Sequence, residues 1–161
     1  SPRIADMYNE WLDEGFARPG ARRTRETFEI CATAQVVVTD DRPAIMELIK
    51  PHLALYMGGM GAEDTNFHAD VYRRMGYAEV VDDVTKLFRS GREDGKDRAA
   101  EIIPDELVDD SAIVGDIAYV QEQIKEWEAA GVTMMVVGAR TTEQIRDLAR
   151  LVSDQDVDTQ E

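Results

Sequence analysis

Two short stretches of this sequence, IVGDIA at 113–118 and VVGARTT at 136–142, each end an apolar run with a glycine and lead into a helix-like segment. Without a Cβ, Gly115 and Gly138 let backbone approach a ligand closely, and the helix that follows aims its first N–H groups at any anion there. Arg140 adds a positive charge to the second stretch and Asp116 a negative one to the first. Tight turning explains the two glycines equally well, and an exposed arginine is usually a solvated surface charge.

The remaining residues with chemical potential form no recognisable set. His52 and His68 belong to no ligand spacing such as H-x-x-x-H, so no metal site is expected. His68 has Asp64, Asp70 and Tyr72 near it in sequence, and a surface histidine is the first reading. Asp40 with Asp41, and Asp109 with Asp110, are adjacent carboxylates that capping and solubility explain. The single cysteine, Cys31, lies in FEICATAQVVV and reads as a small core residue; alone it allows no intrachain disulfide and no multi-cysteine zinc site. G-x-S-x-G, G-K-[ST] and G-x-G-x-x-G are all absent. LALYMGGMG at 53–61 lacks the lysine and the preceding strand of a phosphate loop, and reads as a helix stop followed by a close-packed turn.

The chain has 161 residues, 43% of them hydrophobic, enough for one domain with a real core. A net charge of -15 repels nucleic acid and anionic membrane, so neither is expected as a partner. No apolar run reaches the roughly 18 residues of a membrane span, and SPRIADMYNEW lacks the regions of a signal peptide. A cytoplasmic location is the expectation. A helix pattern starts almost at residue 1, with no initiator methionine, and the chain reads as a piece of something longer.

Elements that would position the two glycine loops follow from periodicity. Ile4, Met7, Tyr8, Trp11, Leu12 and Phe16 mark an amphipathic helix that RPGARR stops. TFEICATAQVVVT reads as a strand covered on both faces. DDRPAIMELIKPHLALYMGG reads as a helix capped by Asp40 or Asp41, with Pro43 in its first turn and a kink at Pro51. Short helices follow in NFHADVYRRMG, YAEVVDDVTKLFRSG and Lys96 to Ile102, with no strand between Asn66 and Asp110. SAIVG is a strand, and Ile117, Val120, Ile124 and Trp127 stripe the next helix, with Asp116 as cap. VTMMVVG reads as a buried strand and TTEQIRDLARLV as the last helix, with Thr141 and Gln144 at capping-box spacing. This order is the grammar of βαβ units and a parallel sheet. One domain over residues 1–152 is expected, with a helical insertion at about 57–110 and an acidic tail at 153–161. On such scaffolds ligands collect at the carboxyl ends of the strands.

Taken in order, YNEWLDEGFARPG, FEICATAQVVVTDD, KPHLALYMGGMGAEDTNFHADVYRRMGY, IPDELVDDSAIVGD and EAAGVTMMVVGA resemble the luciferase-like monooxygenase superfamily, and within it the coenzyme F420-dependent oxidoreductases. The resemblance implies an α/β fold that is the C-terminal half of a (β/α)8 TIM barrel: about three parallel strands, the sixth to eighth, with a helical insertion between the first two. It implies hydride transfer between reduced coenzyme F420 and a small organic substrate, with FMN as the alternative cofactor. Cofactor contacts are then expected at Val114, Gly115, Gly138, Ala139 and Arg140, and Tyr56, Met57 and Gly58 are expected at the substrate pocket rim. No catalytic residue is named. Three strands cannot close a barrel, so self-association as a homo-oligomer is expected. A non-catalytic piece acting only in self-association, or an FMN-dependent monooxygenase of the same superfamily, are the alternative readings.

Overall fold

The computed structural model describes residues 1–61 and 65–153; all but the first residue of the tail expected at 153–161 lies outside them. The chain forms two compact units, one of Ser1–Asp40 with the chain from Ser111 onward, the other of Asp41–Asp110.

The first unit contains α1 (Ala5–Phe16), β1 (Cys31–Val38), β2 (Ala112–Gly115), α7 (Ile117–Ala129), β3 (Met134–Val137) and α8 (Thr142–Ser153). The three strands are parallel, as an α/β fold of βαβ units requires. Side chains alternate across β1: Ala32, Ala34, Val36 and Val38 pack with Ile113, Val120, Trp127, Met135 and Leu148 under the helices. Residues Cys31, Thr33 and Gln35 point the other way and are exposed, as are their β3 neighbours Met134 (45%) and Val136 (47%). Three expectations are thereby corrected. β3 is not a buried strand, β1 is not covered along both faces, and Cys31 is exposed rather than part of the core. The physical reason is shared: α7 and α8 pack on one face of the sheet, and along β1 and β3 the opposite face stays open. The stripe of α1 is likewise only partly covered, with Trp11 half exposed and stacked edge-on against Tyr8.

The strand order is β2-β1-β3. In a closed ring successive strands are neighbours, so the sixth to eighth strands of a barrel would run β1-β2-β3. Here β3 instead lies on the flank of β1 opposite β2, where it pairs with Cys31 to Ala34, while β2 pairs with Gln35 to Val38. An unpaired flank on β1 would leave its backbone groups unsatisfied, and β3 fills it.

The second unit is helical: α2 (Arg42–Ala54), α3 (Phe67–Tyr72), α4 (Ala78–Phe88), α5 (Gly95–Glu101) and α6 (Asp105–Asp109). Asp41 caps α2 by accepting from the Ala44 N–H, and Pro43 sits in the first turn, where a missing N–H loses nothing. The helix continues unbroken through Pro51 and passes into a π-helical turn at Leu55–Gly59. Its core holds Met46, Leu53, Met57, Val81, Ile103 and Leu107. Of the adjacent carboxylates at the end of α6, Asp109 pairs with Arg42, and Asp110 accepts from the Tyr77 hydroxyl at 2.6 Å. Buried Lys50 donates to Glu47 and Asp105. Burial works against its charge, but hydrogen bonds and attraction from these two carboxylates outweigh it and hold its pKa above the ordinary lysine value.

Candidate functional site

The carboxyl end of β2 is a filled site. Val114 is fully buried, and the Gly115 carbonyl accepts from the Thr39 N–H at 2.8 Å. A Cβ at Gly115 would lie 2.6 Å from Cδ1 of the Tyr119 ring, so ring packing already accounts for the glycine. Asp116 caps α7 by accepting from the Tyr119 N–H at 2.8 Å. Its carboxylate thus holds the helix N-terminus that an incoming anion would need, and repels one. The residues of this loop do not fit an anionic group.

The carboxyl end of β3 is open. Gly138, Ala139 and Arg140 are exposed, and a Cβ at Gly138 would meet nothing within 4 Å. Thr141 and Gln144 form the capping pair expected from their spacing: the Gln144 N–H donates to Thr141 Oγ1 at 3.2 Å, and the Arg140 N–H donates to Gln144 Oε1 at 2.7 Å. The Arg140 side chain makes no ion pair among the described residues. This loop fits an anionic group held by Arg140 and by backbone near Gly138.

These two loops do not converge. Gly115 is level with Val38 and Val137 with Ala34, a stagger of four residues or about 13 Å along β1. They also stand on opposite flanks of β1, about 10 Å apart across the sheet. One phosphate cannot bridge that gap, so the chain on its own does not form the paired-loop cradle suggested by the two glycines.

Tyr56, Met57 and Gly58 belong to the π-helical end of α2. Met57 is fully buried and Gly58 is buried, with a Cβ at Gly58 only 2.6 Å from Phe88 Cβ. In this unit they are interior, not rim; the glycine is there because Phe88 crosses close to the backbone. Two residues that sequence reasoning passed over close this helix end. The Asn66 amide donates to the Tyr56 and Met57 carbonyls, both at 2.8 Å, and Arg89 donates to the Gly58 carbonyl at 2.7 Å. The Asn66 side chain also accepts from the His68 and Ala69 N–H groups and so caps α3. Asn66 opens the NFHADVY stretch, just before the helix pattern from Phe67, the one signal that could have found it. Tyr56, half-buried, has the His52 ring at 4.7 Å and the His68 ring at 4.6 Å, and the Phe67 ring is 4.1 Å from His68.

Among the described residues, no three His, Cys, Asp or Glu side chains gather as a metal ion requires, and no helix is long and apolar enough to cross a membrane.

The luciferase-like monooxygenase family model matches residues 3–134, which include Tyr56 to Gly58 and Val114 with Gly115 but stop short of Gly138 to Arg140. The chain is also 78% identical over 152 residues to a Mycobacterium tuberculosis protein provisionally named a coenzyme F420-dependent oxidoreductase. That alignment covers 94% of this chain and 43% of the relative, so the chain spans less than half the relative's length. No solved structure matches it significantly. With four-fifths of its residues matched by the family model and its three parallel strands flanked by helices, the chain belongs to the luciferase-like monooxygenase family.

Proposed function

We propose that this chain is part of an oxidoreductase that passes hydride between reduced coenzyme F420 and a small organic substrate. The observation that carries the choice of cofactor is the 78% identity to a relative named for coenzyme F420. When bound, the deazaflavin supplies the hydride chemistry. The protein's part in this reading is to bind and orient: Arg140 and the backbone of Gly138 and Ala139 hold an anionic portion of the cofactor, and Val114 and Gly115 close the end of β2 on the other flank of β1. Tyr56 is the one residue of the 56–58 turn with a partly exposed side chain, and it takes the place at the pocket rim.

A second reading has its own support. Because Gly115 and Gly138 stand apart and the open sheet face carries Met134 and Val136, this chain by itself is a self-associating piece rather than a working enzyme.

A fluorescence titration with coenzyme F420, repeated with FMN, tests both. It is run on this chain and on a longer version extended to the relative's full length. Saturable binding of F420 to the longer protein, weaker for FMN, supports the first reading; preference for FMN overturns it. Equal F420 affinity in the short chain would remove the second reading, since the short chain would then hold the site unaided.

A further inference from the structure

We propose that two copies of this chain join along the free flank of β3, pairing antiparallel about a twofold axis so that their two sheets become one. This names a surface for the self-association proposed above and rests on that reading. β3 stands at one end of the strand order β2-β1-β3, and among the described residues no strand lies on its outer flank. The other end of the sheet is closed, since β2 is buried along its whole length. On β3, by contrast, Met134, Val136 and Val137 are 45%, 47% and 36% exposed. The usual protections of a sheet edge are missing: β3 has no proline, its pairing with β1 contains no bulge, and no residue between Glu128 and Arg140 carries a charge.

Hydrogen bonding fixes which backbone groups face outward. The Met134 N–H donates to the Ile30 carbonyl at 3.2 Å, toward β1. In a parallel ladder alternate residues address the same neighbour, so Val136 also turns to β1, whereas Met135 and Val137 aim their N–H and C=O groups at the free flank. Only another extended strand satisfies such a row of groups.

This row is its own complement. A twofold axis perpendicular to the sheet at Val136 sets Met135 of each copy opposite Val137 of the other. Each such pair exchanges two hydrogen bonds, and every outward donor and acceptor of both strands is then used. The same axis keeps like faces together. On the open face the two Val136 side chains meet at the close-spaced position of the ladder, and Met134 of each copy lies opposite Gly138 of the other, where a Cβ would meet nothing within 4 Å. Charge favours this approach as well: a chain with net charge -15 repels a second copy over most of its surface, and an uncharged edge is where that repulsion is least.

The test is sedimentation equilibrium of the chain over a range of concentrations, with amide exchange at Met135 and Val137 followed by NMR. A dimer is expected, tighter at about 0.5 M than at about 0.02 M salt because salt screens the repulsion between acidic copies. Exchange at Met135 and Val137 should slow as the dimer fills. Val136→Lys brings like charges together at the axis, and Val137→Pro removes an outward N–H while sparing the bonds to β1. Each should raise the dimer dissociation constant at least about tenfold, and circular dichroism checks that each variant folds. A monomer at every concentration overturns both this proposal and the self-association reading. A dimer that survives both substitutions, that salt weakens, or that leaves the Met135 and Val137 amides in free exchange overturns this proposal alone.

Discussion

Arg42 and Asp109, 67 positions apart in sequence, form an ion pair that joins the first turn of α2 to the last residue of α6. The pair closes the helical unit at its stem, beside the hydrogen bond from Tyr77 to Asp110. Both partners are about one-third exposed, so the pair's worth is that of a partly screened contact, roughly 0.5–1 kcal/mol. Arg42→Ala should lower the unfolding free energy measured by urea titration by that amount, and Asp109→Ala should add almost nothing to it. Additive losses would show that the two side chains act separately.

Lys50 is expected to contribute to the loss of stability at alkaline pH. Its folded-state pKa lies above the unfolded value, so its contribution is complete below about pH 10.4 and is lost as pH rises through the folded pKa. Unfolding midpoints measured between about pH 9 and pH 11.5 should fall for the wild type. Lys50→Met removes the buried charge and should flatten that part of the curve; an unchanged slope would assign the fall to other groups.

Asn66 holds two carbonyls at one helix end and two N–H groups at the start of another helix. Asn66→Ala removes one partner from each of these buried or part-buried groups, the Met57 carbonyl keeping only the Thr85 hydroxyl at 3.3 Å as a side-chain donor, and should destabilise the chain by about 2–3 kcal/mol. Asn66→Asp keeps the acceptor and loses the donor, so thermal melts should place it between the two. If Asn66→Ala melts like the wild type, the amide is dispensable.

Three glycines should separate by the space around them. Gly58→Ala drives a methyl group into Phe88 and should cost about 1–3 kcal/mol, and Gly115→Ala must displace the Tyr119 ring. Gly138→Ala meets nothing and should change stability by less than about 0.5 kcal/mol. A loss of coenzyme F420 affinity in Gly138→Ala without a loss of stability would mark that loop as a contact; unchanged affinity would make the glycine a plain turn residue.

Arg140→Ala, made in the full-length protein, should raise the coenzyme F420 dissociation constant about tenfold, the worth of one charge-assisted hydrogen bond. Its side chain is exposed and unpaired among the described residues, so stability should not move. An unchanged dissociation constant would take Arg140 out of the site.

Local signals were legible in the sequence, whereas pairings across long separations were not. Asp41, Asp116 and the Thr141–Gln144 pair cap the helices where their spacing placed them, because capping depends on neighbours three residues away. The composition of β1 and β3 marked them as strands, yet not which faces would be covered. VTMMVVG is apolar enough for a strand buried on both sides, but Met134 and Val136 stay about half exposed. Gly115 read as a ligand-approach glycine, and Gly58 was expected at a pocket rim from the family resemblance. Each instead faces an aromatic ring, Phe88 and Tyr119, and only the second of these was close enough in sequence to suspect. The cap that Asn66 provides for Tyr56 and Met57 depends on how the chain folds back after the π-helical turn, which periodicity does not encode.

The position of β3 turns strand partnership into a competition. Four residues of β3 already occupy one flank of β1. Any strand offered to that flank, from the same polypeptide or another, must first displace a rival tethered by the short connection through α7. Tethers of this kind correspond to effective concentrations on the order of millimolar. A peptide supplied in trans at micromolar levels would therefore be excluded from β1 even with equal intrinsic affinity, whereas one joined covalently would contend on even terms. Which strand wins is then set by linkage and not by side-chain fit alone.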